Sequence, residues 1–303
     1  GVRFGVILRS NIPHELQGTE VWRWLLNFCK FIFGNSPILF SFLALFNVIL
    51  QAILLNQIAD KNRLFHHSSL LPAVCYILIC SFIPELSYFN APLVANWFLI
   101  VAFGIILNLS NKQDVQKQLF NAGFFISIAA LIYMPYSVFV IAVFLSISML
   151  RSFKLSEWLA GILGLVTPIY FIAAYLFLTD NTAVFSQLFQ VKISYPAVVK
   201  NLSAVGIAAA MIGLWTIVSI FYLNLFVKKM LQQIKNLWGS VLIFTLFAII
   251  ATVLSYTKHI SGWIGLFPFL ALILANPFFE QKKKWVANLL FYTLIASVVL
   301  VQW

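Results

Sequence analysis

The sequence predicts an all-α fold, a polytopic bundle of transmembrane helices, and its composition is the first reason. Of the 303 residues, 62% are hydrophobic, 17% are aromatic and only 9% are charged. A soluble domain carries roughly 25% charged residues, so a water-soluble core could not bury this much apolar surface. Apolar stretches close to the ~20 residues that cross the hydrocarbon layer alternate with short charged loops. We therefore predict a single transmembrane domain over residues 1–303.

The apolar stretches predict about ten spans in this chain. Residues Gly1 to Leu8 resemble the end of another apolar segment, so we expect one more N-terminal span, whose own N-terminus is cytoplasmic. The alternatives to this further span are a chain that begins at Gly1 and a disordered leader. The predicted spans are residues 37–58, 68–84, 91–108, 118–134, 136–150, 157–178, 202–227, 239–256, 262–276 and 285–303.

The apolar run from Leu119 to Leu150 is too long for one span, and Pro135 interrupts it near its middle. Because proline breaks or kinks a helix, the run is either a hairpin of two short helices or one long kinked helix. A hairpin puts twelve Lys and Arg residues of the short loops on one side and three on the other, whereas a single helix divides them seven against eight. The positive-inside rule therefore predicts the hairpin.

The same rule predicts the orientation, with the twelve basic residues on the cytoplasmic side of a bacterial inner membrane. Residues 1–36 and the long loop at 179–200 then lie on the outer side. The basic residues are Lys61, Arg63, Lys112, Lys117, Arg151, Lys154, Lys228, Lys229, Lys235, Lys282, Lys283 and Lys284.

Residues 20–33 predict an amphipathic helix in the plane of the membrane interface. The polar residues Glu20, Arg23, Asn27 and Lys30 recur every three or four positions, and Trp, Leu, Phe and Ile fill most of the remainder. A helix with one narrow polar stripe and many aromatic residues favours the headgroup boundary over a spanning position. Such a helix either shapes a lipid-facing site or simply anchors the chain.

Several functional classes are disfavoured by the sequence. The net charge of +11 is distributed in small groups beside the predicted helix ends, which disfavours nucleic acid as a partner. His14 and His259 lie on the predicted outer side and His66 and His67 on the inner side, so a four-histidine metal site is excluded. We expect no metal and no cofactor.

A transporter interpretation is weakened because no acidic residue lies at the middle of a predicted span, where a coupling ion would bind. Four amide residues, Asn47, Gln51, Asn96 and Asn121, lie inside spans. We interpret them as helix-packing groups rather than as a polar path. Gly161 and Gly164 likewise fit close helix packing and not a phosphate-binding loop.

Charged residues near the predicted outer face form the candidate site. Glu15 and Glu20 are the candidate general bases, and Arg9, Lys258 and His259 are the candidate phosphate-binding residues; Glu85 is a further outer-face polar group. Transfer onto or from a lipid phosphate needs a carboxylate and cationic groups of this kind. The alternative is that these are ordinary charges at helix ends.

Four stretches resemble a family of uncharacterised polytopic bacterial inner-membrane proteins. They are LFNVILQAILLN at 45–56, PELSYFNAPLVANWF at 84–98, FNAGFFISIAALIYMP at 120–135 and RSFKLSEWLAGILGLVTPIYF at 151–171. Members of that family have been labelled carotenoid oxygenases, which the positions of the histidines contradict. The first half of the chain also resembles, more distantly, the core of the C-type glycosyltransferases.

The second resemblance implies an enzyme that uses a polyprenyl-phosphate-linked sugar at the outer face. Glu15 or Glu20 would take the place of the acidic catalytic residue, and the 20–33 helix that of a juxtamembrane helix. The expected partners are membrane lipids and polyprenyl phosphate. The alternative hypotheses are a non-catalytic scaffold or assembly subunit of a cell-envelope complex, which would have membrane-protein partners, and a lipid flippase or transporter.

Overall fold

The computed structural model describes residues 18–82, 88–111, 114–182, 185, 202–228, 230–255, 260–280, 292–293 and 295. This part of the chain is 86% helical and contains no strand, which confirms the all-α class. Its helices are α1 (Glu20–Phe33), α2 (Pro37–Lys61), α3 (Leu71–Ser81), α4 (Ala91–Leu107), α5 (Val115–Ile132), α6 (Phe139–Leu150), α7 (Leu155–Leu178), α8 (Leu202–Lys228), α9 (Gln232–Val253) and α10 (Phe267–Glu280). Short 3₁₀ helices cover Asn108–Asn111, Met134–Val138 and Ile260–Leu266.

Five helical segments are long and apolar enough to cross a membrane: Pro37–Lys61, Val115–Ile132, Leu155–Leu178, Gln232–Val253 and Ser261–Phe279. Four shorter apolar stretches are Leu71–Ser81, Ala91–Leu107, Met134–Leu150 and, within α8, Ala210–Asn224. The 11 residues of α3 reach only about 16 Å at the helical rise, against a hydrocarbon layer of ~30 Å. The predicted last span, 285–303, lies almost entirely outside the described residues. The number of complete crossings therefore stays a prediction.

Two contacts with α4 show that α5 and α6 form an antiparallel hairpin. The Tyr136 hydroxyl, just after α5, donates to the Pro92 carbonyl oxygen at the start of α4, 3.4 Å away. The Arg151 guanidinium, just after α6, donates to the Leu109 carbonyl oxygen beyond the other end of α4, at 3.3 Å. The chain therefore runs along α4 in α5 and returns in α6. A single kinked helix would have carried residue 151 away from Leu109.

These contacts define two ends of the bundle. At the Tyr136 end, Thr19 donates its backbone N–H to the Ile132 carbonyl oxygen at 3.3 Å, and the hydroxyls of Tyr133 and Ser255 lie 2.7 Å apart. At the Arg151 end, the guanidinium of Arg151 pairs with Glu157 at 3.3 Å. The start of α9 joins this second end through Asn236, which donates to the Met149 carbonyl oxygen at 3.4 Å.

Helices α5 and α7 cross closely because glycines line their contact. A Cβ atom added to Gly164 of α7 would overlap the Phe120 carbonyl oxygen of α5, and one added to Gly123 of α5 would overlap the Gly161 carbonyl oxygen of α7. Small residues allow helix backbones to approach in this way inside a membrane. The close approach therefore fits the packing role predicted for Gly164, and Gly123 completes the contact, whereas a Cβ on Gly161 would lie at an ordinary 3.5 Å from the Phe144 ring.

The bundle has a buried centre and an apolar outer surface. Within Ser261–Phe279 83% of the most apolar window is buried, against 22% for the window in α7. The aromatic rings of Phe103, Phe139, Phe244 and Phe269 pack against one another around α10. Exposed large apolar side chains on α2, α6, α7, α8 and α9 face outward. An outer surface of this kind is suited to contact with lipid chains.

The glycine crossing gives the first prediction. We expect Gly164→Ala to destabilise the protein by about 1–3 kcal/mol, the usual cost of overpacking, because the new methyl group meets backbone and not a flexible side chain. The matched control is Gly213→Ala on α8, where no atom lies within 4 Å of the added Cβ. Thermal unfolding of the two purified variants in detergent is the measurement. Equal unfolding temperatures would contradict the close crossing.

Candidate functional site at the lipid interface

Helix α1 divides its surface into three sectors. At about 100° per residue, Trp22 and Leu26 fall on one side, and both are fully buried. A second sector carries Glu20, Arg23 and Asn27. A third carries exposed apolar side chains, Trp24, Phe28, Phe31 and Ile32. A helix that contacts protein, headgroups and lipid chains at once would present these three sectors.

The start of α1 is fixed to the Tyr136 end of the bundle. The Thr19 hydroxyl donates to the Leu131 carbonyl oxygen at the end of α5. The Trp22 ring packs against Phe89 with ring centroids 5.6 Å apart, and the Trp24 ring meets Tyr175 of α7 edge-on at 5.7 Å. The helix has the bounds predicted for the juxtamembrane segment. Its position in the membrane interface stays a prediction.

Glu20 is the only candidate site residue of the sequence analysis that lies within the described residues. Its carboxylate pairs with the Arg23 guanidinium on the next turn, with an Oε1–Nη1 distance of 2.8 Å. The Glu20 side chain is 16% exposed and the Arg23 side chain 44% exposed. The carboxylate therefore forms the inner half of an ion pair whose cation faces outward. Glu15, Arg9, Lys258, His259 and Glu85 lie outside the described residues.

The structure adds polar groups at the Tyr136 end that the sequence analysis did not identify. Tyr133 shares its hydrogen bond with Ser255, which precedes Lys258 and His259 by three and four positions in the sequence. Asn90 caps α4 by accepting the Leu93 N–H at 2.9 Å. Its side-chain nitrogen and the hydroxyl of Ser261 are buried and have no partner among the described residues. In the sequence, Asn90 and Ser261 look like ordinary turn residues near Pro92 and Gly262, so nothing there predicted that they lie at the same end of the bundle.

Three of the four amides in the predicted spans, Asn47, Gln51 and Asn96, bond to neighbouring helices, as the packing interpretation predicts. Gln51 of α2 donates to the Leu93 carbonyl oxygen of α4 at 2.7 Å and accepts from the Tyr76 hydroxyl of α3 at 2.6 Å. Asn96 of α4 donates to Tyr76 at 3.1 Å. Asn47 accepts from the Trp97 indole at 2.5 Å. Three helices are thus joined by one polar cluster inside the apolar bundle.

Charged and metal-binding groups give no second site in the described part of the chain. Asp60, near the Arg151 end, accepts from Asn56 at 2.9 Å. Among the described residues, no three His, Cys, Asp or Glu side chains are placed to hold a metal ion. His66 and His67 are both exposed, with ring centroids 6.5 Å apart.

Comparisons of the chain with protein-family models, with curated proteins and with solved structures found no match. The two resemblances described above therefore stay predictions.

Cys29 lies on the sector of α1 that packs on the bundle and can report whether α1 is docked. Burial raises the pKa of this thiol above its ordinary value, which lowers the thiolate fraction at neutral pH. We expect slow maleimide labelling near pH 7 that accelerates only at more alkaline pH. Trp22→Ala should release the helix and speed labelling at pH 7 several-fold, because the thiol then loses the burial that raises its pKa.

The control for the Cys29 measurement is Phe31→Ala, because Phe31 is 87% exposed and contributes little to docking. The other two cysteines, Cys75 and Cys80, are buried in the core and should label only after unfolding. Identical labelling rates in the Trp22 and Phe31 variants would show that Trp22 does not hold α1 on the bundle.

Proposed function

We propose that the chain is a multi-pass protein of a bacterial cytoplasmic membrane that acts on a polyprenyl-phosphate-linked sugar at its outer face. In this proposal it has about ten spans, residues 1–36 lie on the outer side, and the substrate binds at the Tyr136 end. The lysine-rich loops then lie in the cytoplasm, as the positive-inside rule requires.

The observation that supports this proposal best is the three-sector helix α1. It carries a carboxylate and a guanidinium, Glu20 and Arg23, between an apolar surface and the end of the bundle. A lipid-linked phosphate brings its charged group to this depth while its chain stays in the hydrocarbon layer. Arg is well suited to phosphate because its fixed N–H groups match the phosphate oxygens.

The candidate roles follow from the chemistry. Glu15 or Glu20 would accept a proton from the acceptor hydroxyl as it attacks the sugar carbon, and the C–O bond to the phosphate would break. The departing phosphate keeps the electron pair of that bond. Arg9, Lys258 and His259 would stabilise the charge that develops on it.

A second candidate, a non-catalytic subunit of a cell-envelope membrane complex, is favoured by the Glu20–Arg23 pair itself. A carboxylate that is already bonded to a neighbouring guanidinium is not open to an acceptor hydroxyl. The exposed aromatic face of α7, with Tyr170 and Phe171, offers a surface for a partner helix. If this candidate is correct, the Glu15→Gln, Glu20→Gln double variant restores a deletion strain, whereas Tyr170→Ala, Phe171→Ala does not.

Photocrosslinking tests the lipid-phosphate proposal. A polyprenyl phosphate with a diazirine near its phosphate should crosslink, in nanodiscs, to α1 and to the segment at residues 256–259. Unlabelled polyprenyl phosphate should compete, and the uncharged polyprenol should not, because the phosphate supplies the recognition. Crosslinks spread over the exposed face of α7 without competition would overturn the proposal.

Cysteine labelling tests the orientation. In a variant without Cys29, Cys75 and Cys80, Asn35→Cys at the Tyr136 end should react with a membrane-impermeant maleimide in intact spheroplasts. Ser152→Cys at the Arg151 end should react only after permeabilisation. Both positions are exposed, so burial does not bias the comparison. The reverse pattern would place the lysine-rich end outside.

A further inference from the structure

The pairing of Arg23 with Glu20 suggests how a lipid phosphate would be bound and what its binding would change. We propose that Arg23 binds a phosphate headgroup of a membrane lipid in competition with Glu20, so that binding of the phosphate leaves the Glu20 carboxylate unpaired. Arg23 is absent from the phosphate-binding residues expected from the sequence.

The two partners of the ion pair differ in exposure. Arg23 is the more exposed partner and Glu20 the more buried one. Among the described residues the guanidinium has only this carboxylate as a partner, through Nη1. A guanidinium carries five N–H donors, so several of them remain for an acceptor that approaches from the membrane surface.

The surface around Arg23 combines an exposed amide with exposed apolar side chains. On the helix, Asn27 lies one turn further along the same sector and is exposed. The apolar sector with Trp24 and Phe28 follows around the helix and is exposed as well. A lipid whose phosphate meets Arg23 and Asn27 can lay its chain along this sector. A soluble phosphate gains nothing from the apolar sector, so the geometry favours a lipid.

The Glu20 carboxylate and a lipid phosphate would compete for the Arg23 guanidinium. The pair joins neighbouring turns at the surface of one helix, and exposed pairs of this kind contribute only ~0.2–1 kcal/mol. Phosphatidic acid is a phosphate monoester with up to two negative charges and the polyprenyl-phosphate-linked sugar a diester with one, and either can accept two parallel N–H bonds. The phosphate should therefore draw the guanidinium away from Glu20, and the repulsion between the two anions adds to this effect.

The inference rests on the proposed function only for the position of the Tyr136 end at the headgroup level, and it does not require catalysis. If the chain is an enzyme, arrival of the lipid phosphate would free the carboxylate that acts as the base. If it is not, Arg23 remains a headgroup-binding residue.

A double-mutant cycle tests the competition. The protein is placed in phosphatidylcholine nanodiscs, and binding of dioleoyl phosphatidic acid is titrated by native mass spectrometry. Arg23→Gln should weaken binding about tenfold. Glu20→Gln should tighten it about threefold when Arg23 is present and by a clearly smaller factor when residue 23 is Gln, because only the direct repulsion between Glu20 and the phosphate is then relieved.

Lys30→Gln is the matched control, since it removes one positive charge from the same sector two turns away. It should weaken binding no more than twofold. Equal losses in the Arg23 and Lys30 variants, or an equal effect of Glu20→Gln in both backgrounds, would reduce the interaction to general surface charge and overturn the inference. Displacement of the lipid by soluble glycerol phosphate at the same concentration would overturn the lipid assignment. If the double-mutant cycle shows coupling between Glu20 and Arg23 but polyprenyl phosphate does not crosslink, only the assignment of a polyprenyl substrate is overturned.

Discussion

The close crossing of α5 and α7 is the constraint on which much of the bundle depends. Lipid chains are as apolar as leucine, so the hydrophobic effect does not drive helices together inside a membrane, and packing has to do it. Only 22% of the apolar window of α7 is buried, which leaves few other contacts to hold this helix. Gly123 and Gly164 let the two backbones approach, and the position of α7 follows from that approach.

The position of α5 in turn sets the Tyr136 end. Thr19 is bonded to the last carbonyl oxygens of α5, and the Tyr133 and Tyr136 side chains lie where the hairpin turns. Gly262 and Gly265 leave room for these two tyrosine hydroxyls beside the 3₁₀ helix Ile260–Leu266. The helix that carries Glu20 and Arg23 is therefore attached to the same hairpin that the glycine crossing holds. A change at Gly164 should be transmitted to this end through packing.

Polar groups inside the bundle serve mainly to join helices. The Gln51, Tyr76 and Asn96 cluster connects α2, α3 and α4 where an unbonded amide would be costly. Arg151 bonds both to Glu157 and to the carbonyl oxygen of Leu109, and so connects the ends of α4, α6 and α7. By contrast, the Glu20–Arg23 pair is local to one helix and half exposed. An ion pair that holds nothing else together is free to exchange one partner for a ligand.

The sequence by itself determined the membrane class, the positions of most helices and the hairpin after α5, because composition, apolar length and basic loops act locally along the chain. It also gave the bounds of α1, whose polar residues recur with the helical period. It predicted short helices on either side of Pro135, and α6 has 12 residues. It placed a span at 68–84, whereas α3 covers only Leu71–Ser81, because Pro72 lies in its first turn. The spacing of three residues lets Glu20 and Arg23 pair on one helix, but only the tertiary structure made the carboxylate the buried partner and the guanidinium the exposed one. It also brought Asn90, Tyr133, Ser255 and Ser261 to one end, because these residues are far apart in the chain and their proximity depends on how the helices pack.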